Sequence, residues 1–190
     1  QEKKLAQIAD MIATRQPQPR LVLLSGPSSS GKTTTANKLA IQLKVAGFNP
    51  VTLSLDNYFV DREKTPLDEN GDYDFEALEA LDIPYLNNDL NQLFAGKTID
   101  VPKFSFKDGK RFFDGEKMKL DANSIIIAEG IHALNPKLTA HIDDSLKFRV
   151  YVSALTTLSL DNHNRIPTTD TRLIRRIVRD YRYRGYSAKD

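Results

Sequence analysis

Apolar residues recur at helical spacing near the start of the chain, where Leu5, Ile8, Ala9 and Ile12 mark one face. That helix must stop before Gln16-Pro17-Gln18-Pro19, because proline lacks an amide hydrogen and pushes the preceding residue out of the α region. Residues 1–19 therefore read as a lead-in helix and a stiff connector. From Arg20 to Leu24 the pattern becomes an unbroken apolar run, as expected of a buried parallel strand, and it ends in a Gly/Ser-rich loop. Helical spacing returns over Lys32 to Ala46, with Ala36, Leu39, Ala40, Leu43 and Ala46 on one face and Gly47 as the stop. Val51 to Leu55 reads as a second strand, completing a strand, helix, strand unit that right-handed crossover geometry makes parallel. The fold class is α/β.

Between Asp56 and Leu120 the pattern loosens. A polar loop spans Arg62 to Asp72, a helix is predicted near Tyr85 to Phe94, and alternating stretches follow around Ile99 to Phe106 and Phe112 to Leu120. Asp108-Gly109 and Asp114-Gly115 are both hairpin-turn pairs, so a small antiparallel flap is expected over about 98–120. Buried-strand character returns at Ile125 to Ala128 and Phe148 to Val152. Asp170 to Arg184 places Leu173, Ile174, Ile177, Val178 and Tyr181 on one helical face and arginines on the other.

The 190 residues, 40% of them hydrophobic, suffice for one sizeable core, so residues 20–190 read as one domain. The net charge of +2 gives no reason to expect a nucleic-acid partner, and no aromatic interleaving supports base stacking. Without cysteine there is no disulfide framework, thiolate metal site or thiol catalysis. The apolar runs are strand-sized, far below the roughly 20 residues of a membrane helix, so a soluble, cytoplasmic protein is expected. The start at Gln1 and the stop at Asp190 amid charged, helical sequence suggest a piece of a larger parent with further domains.

Gly26-Pro27-Ser28-Ser29-Ser30-Gly31-Lys32-Thr33 matches G-x-x-x-x-G-K-[ST] and stands between a predicted strand and a predicted helix, the context this phosphate-binding loop requires. Its small residues let backbone N–H groups converge on phosphate oxygens, and the helix start adds the positive end of a dipole. Lys32 supplies a point charge to the β and γ phosphates, and the Thr33 hydroxyl is a magnesium ligand. Two carboxylates are expected at C-terminal strand ends beside this loop, where α/β sheets bind ligands: Asp56 after the second strand and Glu129 after the third. One can serve the metal; the other can accept a proton from an attacking hydroxyl. The arginines at 172, 175, 176, 179, 182 and 184 would repel one another unless anions meet them, which makes a phosphate-facing lid over about 154–190 attractive. An Asn-Lys-x-Asp guanine-reading sequence is missing, since Asn37-Lys38 runs on into Leu39-Ala40.

On these residues the sequence resembles the uridine kinase/phosphoribulokinase family of P-loop kinases. The blocks that carry the resemblance are the P-loop, Leu53 to Phe59, Ile127 to Ile131 and Asp170 to Gly185, with a weaker block from Phe75-Glu76 to Val101-Pro102. The resemblance implies transfer of the γ-phosphate of ATP, with Mg²⁺, to the 5′-hydroxyl of a nucleoside such as uridine or cytidine. It implies Asp56 as general base, with Lys32 and Arg179 also catalytic. Residues Gly26 to Thr33, Thr34 and Arg184 would hold the nucleotide, Asp56, Glu76 and Arg176 the acceptor, and Thr33 and Glu129 the metal. A homo-oligomer is compatible with it. Three positions depart from the family pattern: Phe59 stands for a tyrosine, Gly109 for a base-reading histidine, and Tyr186 for an arginine. Residues Ala154 to Thr169 read as an insertion in which His163, Asn164 and Arg165 have no family role, and the family continues past the lid with another helix and strand. The second reading is an ATP- or GTP-binding regulatory module that phosphorylates no acceptor.

Overall fold

The structure, a computed structural model, describes residues 2–153, 161–163, 166–183 and 187. Its centre is a four-stranded parallel sheet in the order β2 (Asn49–Ser54), β7 (Ser124–Glu129), β1 (Leu21–Ser25), β8 (Lys147–Tyr151). Side chains alternate between the two sheet faces, and both faces are covered. Leu21, Leu23, Ile126 and Ala128 belong to one core cluster and Val22, Leu24, Ile125 and Ile127 to the other. This double coverage is why β1 and β7 read as unbroken apolar runs.

Helix α1 (Glu2–Thr14) buries Leu5, Ala9 and Ile12 in the same cluster as Ala36, Leu39 and Leu43 of α2 (Lys32–Val45), and Glu2 forms an ion pair with Lys38. The lead-in helix thus contributes to the core. On the opposite face lie α3 (Ile83–Phe94) and the flap. The Asp82 carboxylate caps α3 by accepting from Tyr85 N at 3.1 Å, with Pro84 in the first turn, so the helix begins two residues before its predicted start.

The expected antiparallel flap is present and is built on one hairpin. β4 (Lys103–Ser105) pairs antiparallel with β5 (Lys110–Phe112) across the Asp108-Gly109 turn. β3 (Ile99–Asp100) pairs with β6 (Lys117–Met118) as the base of the same ribbon. The Asp114-Gly115 pair, the other candidate hairpin turn, closes none. It lies in the return arm, where four residues (113–116) oppose Val101-Pro102, and Pro102 cannot donate to a ladder. The inner side of the ribbon, Ile99, Val101, Phe104, Met118 and Leu120, is buried in the core.

Strand β2 ends at Ser54, and a 3-10 turn, Leu55–Tyr58, leaves it carrying Asp56. Helix α4 (Thr168–Tyr183) lies over the P-loop. Within its predicted span, Arg184 falls outside the described residues, as do Tyr186, Asn164, Arg165 and positions 154–160. Among the described residues no helix is long and apolar enough to cross a membrane.

Candidate active site

The loop between β1 and α2 begins with Gly26, where a Cβ would collide with the backbone carbonyl of Val152 and approach Ser30 Oγ to 2.9 Å. Only glycine lets the chain pass here. Gly31 precedes α2 in the left-handed conformation, at φ +94°, and Thr35 N donates to its carbonyl at 2.9 Å. Lys32 reaches back over the loop, its Nζ donating to Pro27 O at 3.2 Å. The hydroxyls of Ser29 and Ser30 are buried with no hydrogen-bond partner among the described residues. Such buried polar groups call for an outside partner, and an anion cradled by the loop supplies one.

Glu129 is the last residue of β7 and is 7% exposed. Its Oε1 accepts from Thr33 Oγ1 at 3.0 Å and from Ser54 Oγ at 3.2 Å. Burial raises its pKa above the ordinary glutamate value, and the charge of Asp56 adds to the rise. Burial likewise lowers the pKa of Lys32, against the attraction of Glu129 and Asp56 and with the repulsion of Arg179 and Arg172. Desolvation is the largest effect on both groups. These charges are therefore held in a site that charges them at a cost, which favours an added ligand of compensating charge. The donors at Thr33 and Glu129 are hard oxygens that fit Mg²⁺, which needs few protein ligands when phosphate oxygens complete its shell.

A cavity of about 750 Å³ brings Lys32, Thr33, Asp56, Glu129, Arg175 and Arg179 to one surface, with Ile174 and Val178 as its apolar side. Arg172 Nε donates to Ser28 O at 3.3 Å and Arg179 Nη1 to Ser28 Oγ at 3.2 Å, so α4 is latched to the P-loop. Arg179 is further held by Asp180 at 2.7 Å and 3.1 Å. Glu76 lies apart from Asp56, in a second cavity of about 330 Å³ bounded by Gly26, Ser28, Ile131, His132 and Arg172. Arg176 is exposed and approaches Glu76 at 3.8 Å.

Arg172, Arg175 and Arg182, expected as part of the phosphate-facing lid but without individual roles, all line these cavities. Their 3-4-3 spacing with Arg179 forms one helical stripe, and that signal was present in the sequence. No role was assigned to His132 in the sequence. Its Nε2 is buried at the second cavity without a partner among the described residues.

The sequence model of the Phosphoribulokinase / Uridine kinase family matches residues 21–190. The chain belongs to this family. It is therefore a member of a kinase family, and its parallel sheet with P-loop is that family's fold. A uridine kinase of Schizosaccharomyces pombe is 34% identical over 168 residues, which is 87% of this chain and 33% of that protein. A uridine kinase of Lactobacillus helveticus is 30% identical over 169 residues, 89% of this chain and 71% of that protein. The chain thus spans a third of the first relative and most of the second. Among solved structures, one reported as "a Possible Uridine Kinase" from Bacillus stearothermophilus superposes with a TM-score of 0.61 at 23% identity, covering 95% of this chain and 89% of that one.

Two of the three departures from the family pattern can be placed. Phe59 is 4% exposed and sits edge-on to Phe75, Phe104 and Phe106 at ring-centroid distances of 5.6–5.9 Å. At Gly109, φ is +68° and a Cβ would come within 2.7 Å of Arg62, whose Nη2 donates to Phe106 O at 2.5 Å. The Arg62 side chain takes the room a side chain at 109 would need.

Proposed function

We propose that the chain transfers the γ-phosphoryl group of ATP to the 5′-hydroxyl of a nucleoside, uridine or cytidine. The observation that carries this reading is the presence of Asp56 in the same cavity as Lys32, Thr33, Glu129 and Arg179. A carboxylate facing a phosphate cradle can take the proton of an attacking hydroxyl. In that step the acceptor oxygen bonds to the γ-phosphorus, the bond to the β–γ bridging oxygen breaks, the hydroxyl proton passes to Asp56, and ADP leaves. Lys32 and Arg179 meet the negative charge on the transferring group and the leaving oxygen. Mg²⁺ held by Thr33 and Glu129 would neutralise phosphate charge there. Helix α4, latched over the P-loop through Arg172 and Arg179, would shield a γ-phosphate from water and so favour transfer over hydrolysis. Glu76, in the second cavity, and Arg176, 3.8 Å from it, would contact the ribose, and a reducing cytoplasmic setting agrees with a chain free of cysteine.

Asp56→Asn tests the base: phosphoryl transfer should be lost while Mg-ATP affinity is retained. Full transfer in that variant rules out Asp56 as the base. A second reading, a nucleotide-binding regulatory module, is favoured by Phe59 without a hydroxyl and by Arg62 filling the space at Gly109. Under it, no nucleoside raises the melting midpoint of the nucleotide-bound protein.

A further inference from the structure

Arg111, on the return arm of the flap, lies outside both cavities and is not among the residues the phosphoryl-transfer chemistry uses. Its side chain is 18% exposed, and its Nη2 donates to Tyr58 O at 3.4 Å, Phe59 O at 3.2 Å and Asp82 Oδ2 at 3.1 Å. The guanidinium lies over the Tyr85 ring, 4.5 Å from its centroid. Its backbone N donates to Asp61 Oδ1 at 3.3 Å. Tyr58 and Phe59 are the last residue and the C-terminal cap of the 3-10 turn that begins at Leu55 and carries Asp56. The Tyr58 hydroxyl in turn donates at 3.0 Å to Asp89, a buried carboxylate of α3.

The turn is therefore gripped from two sides, by α3 through Asp89 and by the flap through Arg111. A turn of four residues has few hydrogen bonds of its own, so its orientation depends on what holds its exit. The Tyr58 and Phe59 carbonyls receive a charged donor, and Asp82, the third acceptor, is also the cap of α3. One side chain ties β5, the exit of the Asp56 turn and the start of α3 together.

We propose that Arg111 is a positioning residue that fixes the Asp56 turn relative to the P-loop and so couples the flap to phosphoryl transfer. The coupling to chemistry rests on the reading of Asp56 as the base; the grip on the turn does not. Nε of Arg111 is buried without a partner among the described residues, so the hold is concentrated on one nitrogen. A lysine ammonium can replace part of that hold, but not the planar stacking on Tyr85.

The test compares Arg111→Met and Arg111→Lys with the unaltered full chain by amide hydrogen exchange, Mg-ATP affinity and steady-state kinetics with uridine. In Arg111→Met, exchange in the Leu55–Phe59 peptide accelerates about tenfold or more while α2 stays protected, as expected when a local restraint is lost. Mg-ATP affinity is unchanged, and kcat falls by about 10- to 100-fold, the cost of a base displaced by about an ångström. Arg111→Lys recovers part of kcat. If Arg111→Met fails to fold, Asp82→Asn keeps the helix cap, removes the ion pair, and should show the same pattern more weakly. Unchanged exchange at 55–59 overturns the proposed grip. Faster exchange there with unchanged kcat overturns the coupling. If the unaltered chain phosphorylates no nucleoside, the kinase reading fails, and the exchange data still decide whether Arg111 holds the turn.

Discussion

Replacing Glu129 with Gln should make the ligand-free protein more stable and the Mg-ATP complex less so. In the folded chain the carboxylate is 7% exposed and shares one oxygen between Thr33 and Ser54. The amide oxygen of Gln can accept the same two bonds, so the substitution removes charge and little else. Because the folded pKa of Glu129 is raised, its charge is net unfavourable to folding despite the attraction of Lys32. A group of this kind favours the folded state while protonated, and that contribution is lost as pH rises through its folded value. The advantage of Gln over Glu is therefore full above the raised folded pKa of Glu129, and shrinks as pH falls toward the unfolded glutamate value of about 4.3. A single stabilising substitution commonly yields about 1 kcal/mol. For a domain of this size that raises the melting midpoint by about 2–4 °C. The assay is scanning calorimetry of both proteins at neutral and acidic pH, with and without Mg-ATP. At a ligand concentration about 100-fold above Kd the unaltered chain gains about 2.7 kcal/mol, and a variant binding tenfold more weakly gains about 1.4 kcal/mol. A Glu129→Gln protein that melts lower than the parent at neutral pH would refute the reasoning, because the carboxylate would then be a net stabilising group.

Two further substitutions probe the loop and the lid. Gly26→Ala drives a Cβ into the Val152 carbonyl, a backbone atom that cannot rotate away, and should cost about 1–3 kcal/mol in denaturant melts together with nucleotide affinity. Arg179→Gln removes the cation held by Asp180 at the cavity wall; kcat should fall by about 10³-fold, measured under saturating ATP, with a smaller change in nucleotide Kd.

The parts of the fold legible in the sequence are those whose signal is local. Leu21 to Leu24 and Ile125 to Ala128 read as buried strands because both faces of the sheet are covered, and Gly26 to Thr33 announced its own strand–loop–helix context. Asp56 and Glu129 meet at one cavity because parallel strands end on the same edge of the sheet, which strand order alone makes foreseeable. Pairing partners were harder to foresee. Asp114-Gly115 has turn chemistry, but which strand the return arm joins depends on the reach back to Ile99. The separation of Glu76 from Asp56, and the docking of α1 on α2, depend on tertiary distances that no spacing rule contains. The arginines of α4 were legible as a phosphate-facing lid, but which of them line the cavities, 172, 175, 179 and 182, depends on how the helix docks on the P-loop.

The most direct test of the central claim is to incubate the chain with Mg²⁺ and γ-labelled ATP in the presence of uridine or cytidine, and to follow the label. The account predicts that label appears in the nucleoside 5′-monophosphate, that ATP is consumed only when the nucleoside is present, and that Asp56→Asn abolishes the product while still binding Mg-ATP. Nucleotide bound with no label transferred to either nucleoside would contradict it.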